Sequence, residues 1–339
     1  MRRLVPSAGA LLLTGLSTVS AFAQVKAVPV LEGLDNPSGV AIHAKTGHLF
    51  VATHPAVLRV APTTPAKSFV EVDAFPTDVY GKGPKYDIGP LGVALLGDEH
   101  LIVGDGSLAD AAELVRVFKI GANPPAQPTA ADNAAFKLGP IGPGEASAKG
   151  EGNFYAIAVG PKACYITANG DDTKGWVLKA DIVDGKPGQL VPFIATKPLV
   201  NVDAPVGITM SPDGKQLVVG QMGEVNMAGD SQLSFYDPET GKLIKNHATG
   251  LNDIAGLAYS PKTGKLYAVD YSWVDTKNGG LFRLDVTDSG VKAEKIVSLD
   301  KPTAMAFDKE GNLYITEFGT AAEGSKTAPG RLVKIAAGL

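Results

Sequence analysis

The sequence predicts an all-β protein closed as a six-bladed β-propeller, with the last blade completed by the N-terminal strand. Three observations predict it: a short phrase recurs six times, each copy extends to four strands, and the two chain ends complement each other. The phrase is a small residue, an apolar strand of the Gly-Val-Ala-Ile type, a tight polar turn and a second strand of the Leu-Tyr-Val-Ala type. Counted from Gly39, Gly92, Ala156, Gly207, Gly256 and Ala304, the steps are 53, 64, 51, 49 and 48 residues. Repeats of this size, each holding several strands that cannot bury their own faces alone, stack into a propeller. The 339 residues carry 40 Gly and 24 Pro, with 45% hydrophobic and 19% charged side chains, which excludes a disordered chain.

Residues 1–23 read as an export signal. Arg2 and Arg3 start it, Ala8 to Leu16 form an apolar stretch too short to span a bilayer, and Ala21-Phe22-Ala23 offers a cleavage site. The mature protein, residues 24–339, is then one propeller domain in the periplasm or outside the cell, with no membrane span after cleavage. It is expected to be a monomer. Next comes Val25 to Leu31, a strand with no blade of its own. Its partner is the last blade, which stops after Leu332-Val333-Lys334-Ile335 and lacks a fourth strand. Pro29 suits an outer edge strand and would not suit an inner one, and joining the two removes two open edges.

Within each repeat the first two strands are apolar on both faces, as inner strands between neighbouring blades should be. Third strands such as Val57-Leu58-Arg59-Val60 and Leu114-Val115-Arg116-Val117-Phe118 alternate apolar and basic residues, so they are expected to be half-buried. Fourth strands include Phe69 to Val72, Leu190 to Phe193 and Lys295 to Ser298. Turns between first and second strands are short and rich in Gly, Pro, Asp and Lys. The opposite face carries the long connections 76–89, 139–152, 221–231, 270–280 and 317–330, and long loops on a rigid scaffold mark the working face.

Where each second strand reaches that face stands a polar residue: His54, Asp105, Asn169, Gln221, Asp270 and Glu317. Repeat symmetry places these six around the mouth of the central channel. Three carboxylates gathered there would repel by roughly 4 kcal/mol per close pair at an effective dielectric near 20. Asp105, Asp270 and Glu317 are therefore candidate ligands for a cation, and an all-oxygen set suits Ca²⁺ or Mg²⁺. An acidic residue that follows an apolar strand and caps the following turn would explain the same residues. The aromatic residues Tyr80, Tyr86, Phe154, Tyr155, Tyr271, Trp273 and Phe318 cluster in or beside the long loops, and rings beside a cavity are ligand anchors. Tyr86, Asn169, Gln221, Tyr271 and Trp273 are the ligand-binding candidates.

Other chemistry is poorly supported. Cys164 is the lone cysteine, in an apolar strand, so no internal disulfide exists. There is no zinc or haem spacing, no Gly-x-Ser-x-Gly elbow and no P-loop. With a net charge of −4, which grows more negative once Arg2 and Arg3 leave, and no basic cluster, nucleic acid is excluded as a partner.

The repeats over 36–53, 205–220, 255–270 and 302–317 resemble NHL-type propeller repeats, of the pattern Pro-x-Gly-Val-Ala followed by Gly-x-Leu-Tyr-Val-Ala-Asp. The chain is similar to the six-bladed superfamily that includes NHL proteins and the SMP-30/gluconolactonase enzymes. The latter hold a divalent metal on the axis through Glu, Asn and Asp at the starts of first strands. The matching positions here are Ser38, Leu91, Tyr155, Val206, Ala255 and Thr303, none of them a carboxylate or amide, so that site does not carry over. Two functions remain: a non-catalytic binder of a protein, peptide or carbohydrate on the long-loop face, or a cation-dependent hydrolase or lyase with a rearranged site.

Overall fold

Apolar residues on both faces of the inner strands produce the organisation seen in the computed structural model, which describes residues 25–80, 85–170, 173–322 and 328–339. The expected signal segment 1–23 lies outside these residues. Six antiparallel blades form, each with its first strand innermost. The innermost strands are Gly39–Ile42, Pro90–Leu96, Ile157–Val159, Pro205–Met210, Ile254–Tyr259 and Pro302–Phe307. Successive residues of a strand face opposite blades. Phe50 and Ala52 thus pack towards blade 2 with Leu101 and Val103, whereas Leu49 and Val51 pack towards blade 6 with Leu332. The remaining core clusters repeat this between blades 2 and 3, 3 and 4, 4 and 5, and 5 and 6. The core is therefore a ring of six inter-blade clusters rather than one central mass.

The ring closes as the chain ends predict. Ala27–Leu34 pairs antiparallel with Gly330–Ile335 as the outer strand of blade 6, with Ala27 opposite Ile335, Val28 opposite Lys334 and Leu31 opposite Leu332. Pro29 is exposed on this outer strand, and Val30 falls at an irregularity in the register. Most of the strand is only partly buried.

Why the repeat demands a small residue at the start of each first strand is now physical. Neighbouring first strands converge on the axis, where a side chain has no room. A Cβ on Gly92 would stand 2.9 Å from the carbonyl oxygen of Tyr155, and one on Gly207 would stand 3.2 Å from the backbone of Gly256. A Cβ on Gly39 would fall on the carbonyl oxygen of Leu91. Gly39→Val is expected to cost about 1–3 kcal/mol by overpacking, measured as a lower urea midpoint with an unchanged slope; an unchanged midpoint would contradict this crowding.

Two third strands depart from expectation. Arg59 and Arg116 do not point to solvent: they are 1% and 3% exposed. After blade 2's third strand, Val115–Lys119, the chain leaves its blade and lays Thr129–Ala130 parallel against Lys67–Asp73, the outer strand of blade 1. It rejoins blade 2 only at Phe136–Leu138. This excursion, which accounts for the longest repeat step, covers Arg59. The guanidinium donates to Glu71 Oε1 and to the Gly121 carbonyl, both at 2.9 Å, and lies over the Phe50 ring. Arg116 is buried in the same way by an ion pair with Asp105.

Candidate functional site: an aromatic roof over a narrow axis

The polar ring expected at the channel mouth is not there. Asp105, Gln221, Asp270 and Glu317 are all buried within their own blades, one strand out from the axis. Asp105 pairs with Arg116 and accepts from the Ser107 amide and hydroxyl. Asp270 accepts the backbone N–H groups of Asn252 and Asp253 at 3.1 and 2.8 Å. Glu317 accepts the Asp300 N–H at 2.7 Å and pairs with Arg331 at 2.5 Å. The Gln221 amide donates to Thr196 Oγ1 and the Val202 carbonyl. In blades 4, 5 and 6 the residue thus pins the connection that leads into its own first strand, and Asp105, through the Ser107 N–H, caps the turn that follows it. Asn169 is half-buried beside blade 3, its N–H donating to the Gly152 carbonyl. The three carboxylates do not converge, and among the described residues no group of three or more His, Cys, Asp or Glu could hold a metal.

The axis itself is lined by the first strands, including Ser38, Gly92, Tyr155, Ile208, Gly256 and Thr303, around a cavity of about 70 Å³. That is space for a few waters. Its serine and threonine hydroxyls are occupied by backbone: Ser38 Oγ lies 3.1 Å from the carbonyls of Pro90 and Leu91, and Thr303 donates to the Pro37 carbonyl at 2.7 Å. A sugar-sized ligand does not fit within this axis.

Above it the aromatic candidates do meet. The loop between blades 1 and 2 forms a hairpin, Asp78–Tyr80 paired with Tyr86–Ile88, that carries Tyr86 to rings from blades 5 and 6. Tyr86 stacks with Trp273 at 6.4 Å between centroids and 14° between planes. Trp273 stacks on Tyr271 at 4.4 Å, while Phe318 and Tyr80 flank Tyr86 at 5.2 and 6.0 Å. Blade 5 lies opposite blade 2 while blade 6 adjoins blade 1, so Tyr86 meets Phe318 from a neighbouring blade and reaches Tyr271 and Trp273 across the long-loop face. Tyr155, from blade 3, lines the cavity beneath and senses the Tyr86 and Tyr271 hydroxyls. Burial, reinforced by that proximity, raises both phenols above their ordinary value, so they remain O–H donors at any working pH. Of the sequence candidates, Tyr86, Tyr271 and Trp273 are brought together; Asn169 and Gln221 are not part of the roof. Phe154 is core.

Two buried carboxyls on this face carry no sequence signal beyond being acidic residues in loops. Asp253 is fully buried and accepts the Trp273 N–H at 2.6 Å, fixing the roof's tryptophan. Burial, and then Asp270 and Asp230, push it up to about 7. Glu113, 1% exposed, accepts the Asn153 N–H. Burial pushes it up to about 9 against that hydrogen bond, with Asp105, Asp110 and Asp78 acting in the same direction as burial. The folded protein keeps the Glu113 proton at neutral pH, whereas the unfolded chain has lost it above about 4.5. Its contribution is therefore complete below about 4.5 and declines as pH rises towards 9. Glu113→Gln is expected to flatten that decline and to stabilise the protein by roughly 3 kcal/mol at pH 7. Urea unfolding at pH 5 and 8 checks it; parallel curves for both proteins would contradict it. Cys164 is buried and its thiol is pushed up to about 12, in keeping with an inert core residue.

The fold and site together define a six-bladed β-propeller whose axis is roofed by aromatic side chains. Among solved structures it is similar to an aldose sugar dehydrogenase from Escherichia coli, with a TM-score of 0.61 and 12% identity over 92% of this chain and 99% of that one. It is also similar to an oxidoreductase of the glucose dehydrogenase type from Thermus thermophilus, at 0.59 and 16% over 92% and 100%. A third is a gluconolactonase from Xanthomonas campestris, at 0.57 and 13% over 92% and 90%. These likenesses establish the fold. No family model and no curated protein matches the sequence.

Proposed function

We propose that this protein is an exported carbohydrate-binding propeller, and that the roof formed by Tyr86, Tyr271 and Trp273 is its ligand platform. The carrying observation is the meeting of these rings on the long-loop face, Tyr271 buried beneath and Tyr86 and Trp273 half-buried, which brings apolar ring surface beside phenol donors. Sugar rings stack their C–H faces on such surfaces while their hydroxyls take the polar groups. The surrounding loops support the reading, since Val79, Tyr80, Leu199, Val225, Met227 and Val274 are exposed on the same face. The three similar structures are two sugar dehydrogenases and a gluconolactonase, in agreement with this ligand class. Among the described residues no helix is long and apolar enough to cross a membrane.

Fluorescence provides the test. The chain has two tryptophans, so in a Trp176→Phe background Trp273 is the sole reporter. A panel of mono- and oligosaccharides is expected to include one that shifts its emission saturably. Trp273→Ala should weaken that ligand by about 2 kcal/mol, the scale of an interface hot spot. The reading fails if no saccharide perturbs Trp273; saturation by a peptide instead would move the ligand to that class.

A further inference from the structure

Blade 1 does not use its second-strand polar residue as a backbone cap. That residue is His54, and its ring joins two side chains. Nδ1 lies 2.8 Å from Asp35 Oδ2, and Nε2 lies 2.9 Å from Thr77 Oγ1. The His54 N–H also donates to the Asp35 carbonyl at 2.9 Å, so the two residues are held at backbone and side chain. The ring is largely buried, its side chain 13% exposed, whereas Thr77 is exposed on the long-loop face. A carboxylate on Nδ1 fixes the proton there and leaves Nε2 as an acceptor. The order is then orienting carboxylate, imidazole base, hydroxyl, which is the arrangement that activates an alcohol as a nucleophile. It is built without a Gly-x-Ser-x-Gly elbow, so motif reading passes over it.

We propose that Thr77 and His54 are the catalytic residues, and Asp35 the positioning residue, of an acyl-transfer site acting on carboxylic esters. Thr77 Oγ attacks the ester carbonyl carbon as its proton passes to His54 Nε2. The ester C–O bond breaks, and the leaving alkoxide takes that proton and departs as the alcohol. Water then adds to the threonyl ester with His54 again accepting a proton, which returns to Thr77 Oγ as the acid is released. The balance is ester plus water giving acid plus alcohol, with no further reactant. The site lies at the root of the hairpin bearing Tyr86 but does not depend on the roof binding sugar.

The experiment uses 4-nitrophenyl acetate as the probe, with peptide mapping by mass spectrometry. An acetyl group on Thr77 and concurrent nitrophenolate release are expected for the full chain. Thr77→Val should lose both and Thr77→Ser should keep both, while His54→Gln should slow acylation by roughly 10²–10⁴-fold. Asp35→Asn, at a half-exposed carboxylate, should slow it as well and gives a folded variant should His54→Gln fail to fold. A mere latch for the hairpin would lower the melting temperature of these variants without any acetyl-Thr77. No acetyl on wild-type Thr77, or equal acylation in the folded His54 or Asp35 variants, overturns the proposal.

Discussion

Glu71→Ala is expected to destabilise the protein by about 3–5 kcal/mol, because it leaves the Arg59 guanidinium buried without its counter-charge. The pair is embedded between blade 1 and the excursion from blade 2, with the Arg59 Nε 2.8 Å from Glu71 Oε2. Burial raises the Glu71 carboxyl above its ordinary value even against the attraction of Arg59, a sign of how dry the position is. Against a typical stability of about 5–15 kcal/mol, the loss removes a large fraction of the total. Thermal or urea unfolding measures it. The double variant Arg59→Met, Glu71→Leu should recover most of the loss, since apolar replacements of a buried pair are often neutral. A single variant melting with the wild type would show that water reaches the guanidinium.

Removal of the N-terminal strand, leaving a chain that starts at Gly33, is the second large effect. It strips the partners from Leu332, Val333, Lys334 and Ile335 and replaces an outer edge that carries Pro29 by a mostly buried apolar strand left unpaired. Val30 and Leu31 pack against the cluster between blades 6 and 1. Because they are only partly buried, their direct loss is roughly 1 kcal/mol each, less than for fully buried side chains. The greater consequence is the unpaired edge, which should drive aggregation. Size-exclusion chromatography and melting of the truncated protein decide the matter. A monomer melting within a few degrees of the mature form would mean that blade 6 stands on three strands.

The fold is legible in the sequence because each of its causes is local and repeated. The small residue at Gly39, Gly92, Gly207 and Gly256 reports crowding at the axis, two-sided apolar strands report inter-blade packing, and Pro29 reports an outer edge. What stays hidden arises where one blade borrows from another. Arg59 reads as a residue of a half-buried strand because nothing in its own repeat reveals that residues 121–130 will cover it. Symmetry places Asp105, Asp270 and Glu317 at the correct end of the correct strands. Strand order alone does not tell whether such a side chain turns towards the axis or into its blade, and their backbone and arginine partners turn them inward. The aromatic candidates are legible as a cluster from their position in long loops. Their meeting on the long-loop face depends on how far the 78–88 hairpin reaches, which is a property of three dimensions. The Asp35, His54 and Thr77 contact joins three separate loops and has no sequence spacing of its own.

The central claim, that ligand binds on the roof and not within the axis, is most directly tested by a crystal structure of residues 24–339 with the best saccharide at saturating concentration. The account predicts a sugar ring against the accessible parts of Tyr86 and Trp273, with the cavity between Ser38 and Thr303 holding nothing larger than water. Saccharide density inside that cavity, or on the opposite face among the short turns, would contradict it.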